Sequence, residues 1–339
     1  MLQYLAKRIL MVIPVMIGVS VIVFSLMRVF SPDPAPIVLG QHATQEDMTS
    51  WRESNGLEEP IVQQYLAYMS AALQGDLGTS YYTNTPVSEE IGARFPATIE
   101  LAIAAITFAS IVGILIGILA AVKKNTIFDA GGTIIALIGV SIPIFWLGIM
   151  FIMFFSGYLH LLPSGGRIDP MLEPAHVTGF YMIDALLAGN AAAFESAAVH
   201  IVLPALTLGM YSMAIITRMT RSTMLETLSQ DYVRTARAKG LAENRVVGKH
   251  ALRNSLIPVV TVIGLQFGAL LGGALLTETV FSWPGIGKYT VDSIMKSDFP
   301  VVQGIVLLVA FVFVLVNLGA DLVYAYLDPR IKYSSKKEG

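Results

Sequence analysis

The sequence predicts an all-α polytopic membrane protein with six transmembrane helices and both termini in the cytoplasm. Three observations carry that prediction. Of 339 residues, 55% are hydrophobic and only 14% charged, whereas soluble domains carry about 25% charge. Six apolar runs are each near the 20 residues a helix needs to cross a bilayer. The basic residues crowd into the segments on one side of those runs. Cysteine is absent, which excludes disulfides and Cys-based metal sites.

The first run covers residues 9–30 and follows Lys7 and Arg8. It is longer than the roughly 7–15 apolar residues of a signal peptide, and no small-x-small cleavage site follows it. An uncleaved first span is therefore expected over residues 1–30. The remaining spans fall at 98–122, 133–158, 199–217, 256–281 and 301–326, within a core of 98–326.

Sidedness follows from the connecting segments. With Lys7 and Arg8 inside, the inner segments are 1–8, 123–132, 218–255 and the tail 327–339, and they hold 16 of the 22 basic residues. Cytoplasmic loops retain Lys and Arg, so this orientation is selected. Outside, residues 31–97 carry nine acidic side chains against Arg52 and Arg94. Pro32, Pro34 and Pro36 break the chain there, and the stretch from Glu46 to Gly78 reads as one or two amphipathic helices with Trp51, Leu57, Ile61, Tyr65, Tyr68 and Met69 available to pack. A segment of this size is expected to cap the outer face of the bundle rather than fold alone. The second outer segment, 159–198, is rich in Gly, Ala and Pro.

Prolines punctuate the spans. Pro204 and Pro258 are expected in first helical turns, where a missing N–H costs little, and Pro143 is expected to kink the third span. Gly264, Gly268 and Gly272 recur every four residues on the fifth span. Such a stripe lets another helix approach closely, within this chain or from a second one.

Catalytic chemistry is sparse. The five histidines form no HExxH or HxxxH pair, so a zinc site is not expected. Gly285–Lys288 reads GIGK, but Tyr289 stands where a phosphate-binding loop needs Ser or Thr, and the segment lies outside. Ion-coupled transporters bury ionisable relays at the midplane. Here Arg28, Glu100 and Glu278 lie toward outer span ends and Asp321 toward an inner one. These positions suit interfacial or paired residues. Glu278, flanked by Thr277 and Thr279, is the candidate for a polar translocation pathway. Without an ion site, coupling energy must come from outside the chain.

The segment best suited to deliver it lies within 218–255. Eight basic residues between Arg218 and Arg253 face only Glu226, Asp231 and Glu243. A short helix to Lys239 is expected, then a break at Gly240, then a second short helix from Leu241 to His250. A compact helix–Gly–helix between spans has the shape of a mechanical link to a soluble motor. Its plainer reading is a basic loop resting on lipid headgroups.

At these residues the sequence resembles the permease subunits of bacterial ATP-binding-cassette importers, whose loop reads EAA-x3-G-x9-I-x-L-P. Arg234-Thr235-Ala236 stands at EAA, Gly240 at the glycine and Leu252 at the leucine, with no proline after Leu252. YVRTARAKGL and HALRNSLIP are similar to the peptide branch, which comprises dipeptide, oligopeptide and nickel permeases. So are GDLGTSY (75–81), FPATIEL (95–101), SIPIFWLG (141–148), LTETVFSWPGIGKY (276–289) and DPRI (328–331). The length and the 159–198 segment look most like the first permease subunit of a dipeptide importer.

The resemblance implies a type I importer permease fold. It implies partners: a second homologous permease, two ATP-binding subunits, an external substrate-binding protein, a peptide substrate and membrane lipid, but no nucleic acid. It also implies no cofactor on this chain, with ATP and Mg used by the ATPases. Arg234, Arg237 and Lys239 would make polar contacts with an ATPase, Ala236 would pack closely and Gly240 would form the turn. Related permeases carry nickel, haem or glutathione. The rival classes are a self-sufficient secondary transporter and a non-transporting scaffold or sensor.

Overall fold

A computed structural model describes residues 2–40 and 42–327. Side chains are described from Leu10 onward, and not at Asp321 or beyond Leu322. The DPRI motif and the tail expected at 327–339 therefore lie outside the described residues, apart from the backbone of Leu327.

Fourteen α-helices are present among the described residues, with no β-strand beyond one bridge between Thr79 and Pro86. The first, α1 (Leu2–Val29), precedes three helices of the outer segment: α2 (Pro34–Leu39), α3 (Gln45–Ser54) and α4 (Ile61–Leu73). Next come α5 (Val87–Val122), α6 (Ile127–Ser141), α7 (Ile144–Phe151) and the short α8 (Tyr181–Leu187). The long α9 (Ala191–Leu228) leads to α10 (Asp231–Ala238) and α11 (Glu243–Arg245), and then α12 (Leu252–Val280), α13 (Ile286–Met295) and α14 (Phe299–Leu327) complete the chain.

Five helices are long and apolar enough to cross a membrane, and α6 with the helical stretch 144–158 forms a sixth, broken span bent by 106°. Pro143 sits at that break as the N-cap of α7. The expected kink is thus a full interruption, because proline removes the N–H and its ring excludes the preceding helical turn.

Several helices outrun their apolar windows. α5 begins at Val87, so the boundary expected at 97/98 falls inside a helix. α9 extends from Ala191 to Leu228, which places Pro204 in its interior, and Pro258 likewise lies inside α12. The expectation of first-turn prolines is corrected accordingly. Hydropathy marks where a helix meets lipid, whereas its ends are set by caps such as Asn190, whose side chain accepts from the Ala193 N–H. Neighbouring helices re-satisfy backbone groups freed by proline within membrane bundles.

The centre of the bundle is α5 against α9, with α12 packed on both and α14 on α12. Inside lipid no hydrophobic force drives helices together, so close contact depends on small residues. Ala105, Ala109, Gly113, Gly117 and Ala121 form a buried stripe of four-residue period down α5. A Cβ at Gly117 would stand 2.6 Å from Thr220 Cβ, and one at Gly113 would stand 3.0 Å from the Met213 carbonyl. Across the contact, Gly209 approaches the Ala105 carbonyl to an equivalent 2.7 Å. The stripe on α12 divides. Gly264 and Gly268 pack on α14 at Ala320 and Val316, while Gly272 has nothing within 4 Å of an added Cβ.

The outer segment packs on the bundle largely through aromatics. Trp51 meets Tyr81 edge-on with centroids 5.0 Å apart, Tyr81 in turn meets Phe299 of α14 at 6.2 Å, and Tyr65 and Tyr68 pack on Phe24 of α1. Thr44 and Asp47 close a capping box at the start of α3. Ile61, offered by the sequence as a packing residue, is instead 52% exposed.

Candidate functional site

Two groups of residues stand out, one at each end of the bundle. At the end that the charge pattern places in the cytoplasm, α10 folds back on its own chain. Val233, Ala236 and Val246 are buried together, with Leu228 and Leu241 against them. Ala236, expected to pack on a partner, is thus consumed by this small core, since only a short side chain lets α10 lie so close. Gly240 ends the helix at φ +75°, donating its N–H to the Arg237 carbonyl. Glycine adopts that conformation without Cβ strain, in the usual manner of a helix C-cap.

Beyond the turn, Arg237 Nε and Nη2 donate to Glu243 at 3.1 and 2.7 Å. Arg237 therefore braces the turn, whereas Arg234 is 78% exposed, with only a 3.3 Å contact to Asp231. Thr235, Lys239 and Gly240 are exposed beside it. The second short helix expected over 241–250 is not separate. Glu243 opens one helical turn that passes through a π-helical stretch, Val246–Ala251, directly into α12. Leu252 begins that span and packs on Ala121, Met224 and Ala251, so it lies behind the exposed face. A movement of α10 is thereby tied to a membrane-crossing helix.

Sequence reasoning missed the groove beside this turn. Tyr232, Lys249, His250, Arg253, Asn254 and Ile257 line an open cavity of about 660 Å³. Asn254 donates to the Tyr232 hydroxyl at 2.8 Å, which fixes one wall. The signal available was the spacing of Lys249, Arg253 and Ile257 by four, one face of a helix.

At the other end, motifs that are separate in the sequence meet in one hub. Glu278 is fully buried. Its Oε1 accepts from Thr98 Oγ1 at 2.6 Å and its Oε2 from the Lys288 N–H at 2.9 Å. Thr98 also accepts from the Ile286 N–H, so FPATIEL and GIGK are joined through one hydroxyl. Trp283 Nε1 donates to the Ala97 carbonyl, and Phe281 lies against Gly148 of SIPIFWLG. The GIGK segment thus starts α13 and receives a carboxylate where a phosphate motif would receive phosphate.

Of the three residues expected on the pathway, Thr277 and Glu278 are fully buried inside the chain, whereas Thr279 is exposed on another face of α12. A carboxylate placed in the bundle must be paired or hydrogen-bonded, and here the partners come from the protein's own loops.

The 159–198 segment joins the same hub. Arg167 donates through Nη2 to Glu100 at 2.6 Å and to the Gly179 carbonyl at 2.7 Å, with its guanidinium 3.8 Å from the Tyr181 ring centroid. Asp184 accepts from the N–H groups of Val177, Thr178 and Gly179 and from the Thr178 hydroxyl. GDLGTSY is fixed to the start of α14, where Asp298 accepts from Ser80 at 2.6 Å. Burial pushes the Asp298 carboxyl upward against the pull of those bonds.

The comparisons with known proteins agree with this architecture. The chain belongs to the binding-protein-dependent transport system inner membrane components, whose profile matches residues 113–333, with the corresponding N-terminal profile over 1–102. It is a multi-pass inner-membrane transport component. It is 48% identical to the dipeptide transport system permease protein DppB of Alkalihalophilus pseudofirmus, over 98% of this chain and 100% of that one. The DppB of Escherichia coli K12 is 47% identical over 98% and 99% of the two chains. The glutathione transport system permease protein GsiC of Salmonella choleraesuis is 41% identical over 98% and 100%. Among solved structures, an inward-facing MetNI methionine ABC transporter chain aligns with a TM-score of 0.50 at 18% identity, over 68% of this chain and 93% of that one. That likeness concerns the fold alone.

Proposed function

We propose that this chain is the permease subunit of an ATP-driven importer that carries dipeptides or short oligopeptides across the cytoplasmic membrane. The observation that carries the substrate class is end-to-end similarity to proteins named as dipeptide permeases. A match over nearly the full length of both chains supports a common substrate class more than a match over the core alone would.

The mechanism rests on the cytoplasmic turn. In this reading α10, with Arg234, Thr235 and Lys239 outward, seats in a groove of a separate ATP-binding subunit. Arg237 and Glu243 keep the turn rigid, so force passes through Val246–Ala251 into α12 rather than being absorbed by the loop. Two such ATPases and a second homologous permease complete the pathway, and an external binding protein supplies peptide to the hub face. ATP hydrolysis belongs to the partners. The open face of α12, with Gly272 and Thr279, supports a place along the seam with the second permease.

Affinity purification of the tagged chain in mild detergent tests this reading. A second six-span permease and two ATPases are expected among the bound proteins. A transport-active homo-oligomer with no ATPase would overturn it in favour of a secondary transporter.

A further inference from the structure

The outer segment holds a feature that neither the hub nor the cytoplasmic turn uses. A cavity of about 510 Å³ lies between α4 and the outer ends of α1 and α14. Four side-chain atoms of its lining are buried without a hydrogen-bond partner: Arg28 Nε, Gln64 Oε1, Tyr68 Oη and Gln303 Nε2. Buried polar atoms are nearly always partnered, so four around one cavity point to a polar occupant.

Arg28 sets the sign of that occupant. The sequence suggested an interfacial or paired residue, and the guanidinium turns inward between the rings of Phe24 and Phe299, 5.4 and 5.1 Å from their centroids. Among the described residues no carboxylate lies within ion-pair distance of it. Glu59 and Asp76 also line the cavity and are both exposed, at its rim. A cation in the interior and carboxylates at the mouth suit a zwitterion whose anionic end enters first.

The helix forming one wall indicates where such a molecule comes from. α4 turns Gln63, Gln64, Ala67 and Tyr68 to the cavity, while Ile61, Val62, Leu66 and Leu73 are 52–83% exposed on its other sides. It packs on the outer half of α1, where the Tyr65 and Ser20 hydroxyls are 2.9 Å apart. That part of α1 itself exposes Ile22, Leu26 and Val29. A helix with its polar side inward and its apolar side outward is matched to acyl chains rather than water. Interfacial Arg and Tyr are well suited to phosphate groups at that depth.

We propose that this cavity binds the headgroup of an outer-leaflet phospholipid, with its phosphate on Arg28 and the ammonium of a phosphoethanolamine group near Glu59 and Asp76. The acyl chains would lie along the apolar sides of α4 and α1, clamping the outer segment to the bundle.

The test is native mass spectrometry of the full-length chain with its co-purified partners, delipidated and titrated with phosphatidylethanolamine or phosphatidylcholine. One bound phosphatidylethanolamine is expected, with affinity about tenfold above phosphatidylcholine. Arg28→Met is expected to lose about tenfold in affinity for both lipids. Glu59→Gln, at an exposed site that does not threaten folding, is expected to narrow the difference between them. Equal lipid retention by wild type and both variants would overturn the proposal. So would binding of inorganic phosphate or glycerophosphoethanolamine as tightly as the lipid, which would define a water-side anion site. Displacement of the lipid by dialanine at equal concentration would overturn it too, by making the cavity a peptide vestibule.

Discussion

Glu278 and Thr98 illustrate how a residue picked for chemistry can turn out to hold loops together. Both Glu278 oxygens accept bonds from within the chain, so Glu278→Gln must present an amide donor to the Thr98 hydroxyl or to the Lys288 N–H. Leaving such a buried group mispaired costs about 1–3 kcal/mol. The variant is expected to unfold at lower temperature in detergent by differential scanning fluorimetry, and to lose uptake only in proportion to folded protein. A variant of unchanged stability with altered substrate preference would restore Glu278 to the pathway. Asp184 provides a pH test at the same scale. Burial raises its carboxyl, but the Thr178 hydroxyl and the N–H groups of Thr178, Gly179 and Val177 outweigh that and hold it below the ordinary 3.8. A depressed folded value contributes stability in full above the ordinary value, and that contribution is lost as pH falls through the folded one. Amide protection in 167–190, referred to the intrinsic exchange rate at each pH, is therefore expected to fall on going from about pH 5 to about pH 3, and Asp184→Asn is expected to shrink that change. A wild-type exchange pattern insensitive to that acidification would contradict the assignment.

At the scale of elements, the long α5–α9 contact and the α10 turn make opposite demands on glycine. Gly117 is needed for space, because an alanine there would drive Cβ into Thr220 and the Thr217 carbonyl. Gly117→Ala is expected to destabilise the chain by about 1–3 kcal/mol, read as a lower melting temperature, whereas Gly272→Ala should leave it unchanged. Gly240 is needed for conformation, since nothing crowds its open side. Gly240→Val places a β-branched residue at positive φ, at a cost of about 1–3 kcal/mol. It is expected to leave membrane insertion intact while reducing co-purification of the ATPases. Unaltered assembly and transport would remove α10 from the coupling role. Of these elements, the α10 turn was legible because glycine, charge and helix spacing all act locally. The α5 stripe of Ala105, Ala109, Gly113, Gly117 and Ala121 is just as regular, yet alanine hides a glycine pattern in an apolar span.

For the whole molecule, the spans and the break at Pro143 were legible, since bilayer thickness and proline stereochemistry leave few alternatives. The helix ends were not, because caps and tertiary contacts decide them once the apolar window is passed. Nor could the hub be read in advance. Thr98, Arg167 and Glu278 lie far apart in the chain, and only the packed bundle brings them together. Arg167 shows the consequence. Its partner Glu100 is buried with it, and removing one member of such a pair costs about 3–5 kcal/mol. Arg167→Met is expected to expose 159–198 to limited proteolysis, with Glu100→Gln in the same chain restoring part of the protection. Equal cleavage of wild type and Arg167→Met would show that the pair does not hold the segment.

In the proposed coupling, force generated by ATPases enters through α10 and moves a peptide through this bundle. The decisive measurement is uptake of a labelled dipeptide into liposomes containing the co-purified complex, with and without ATP on the α10 side. Uptake is expected to require both ATP and the ATPase subunits and to be lost in Gly240→Val. Dipeptide uptake by this chain alone, at the same rate without nucleotide, would contradict it.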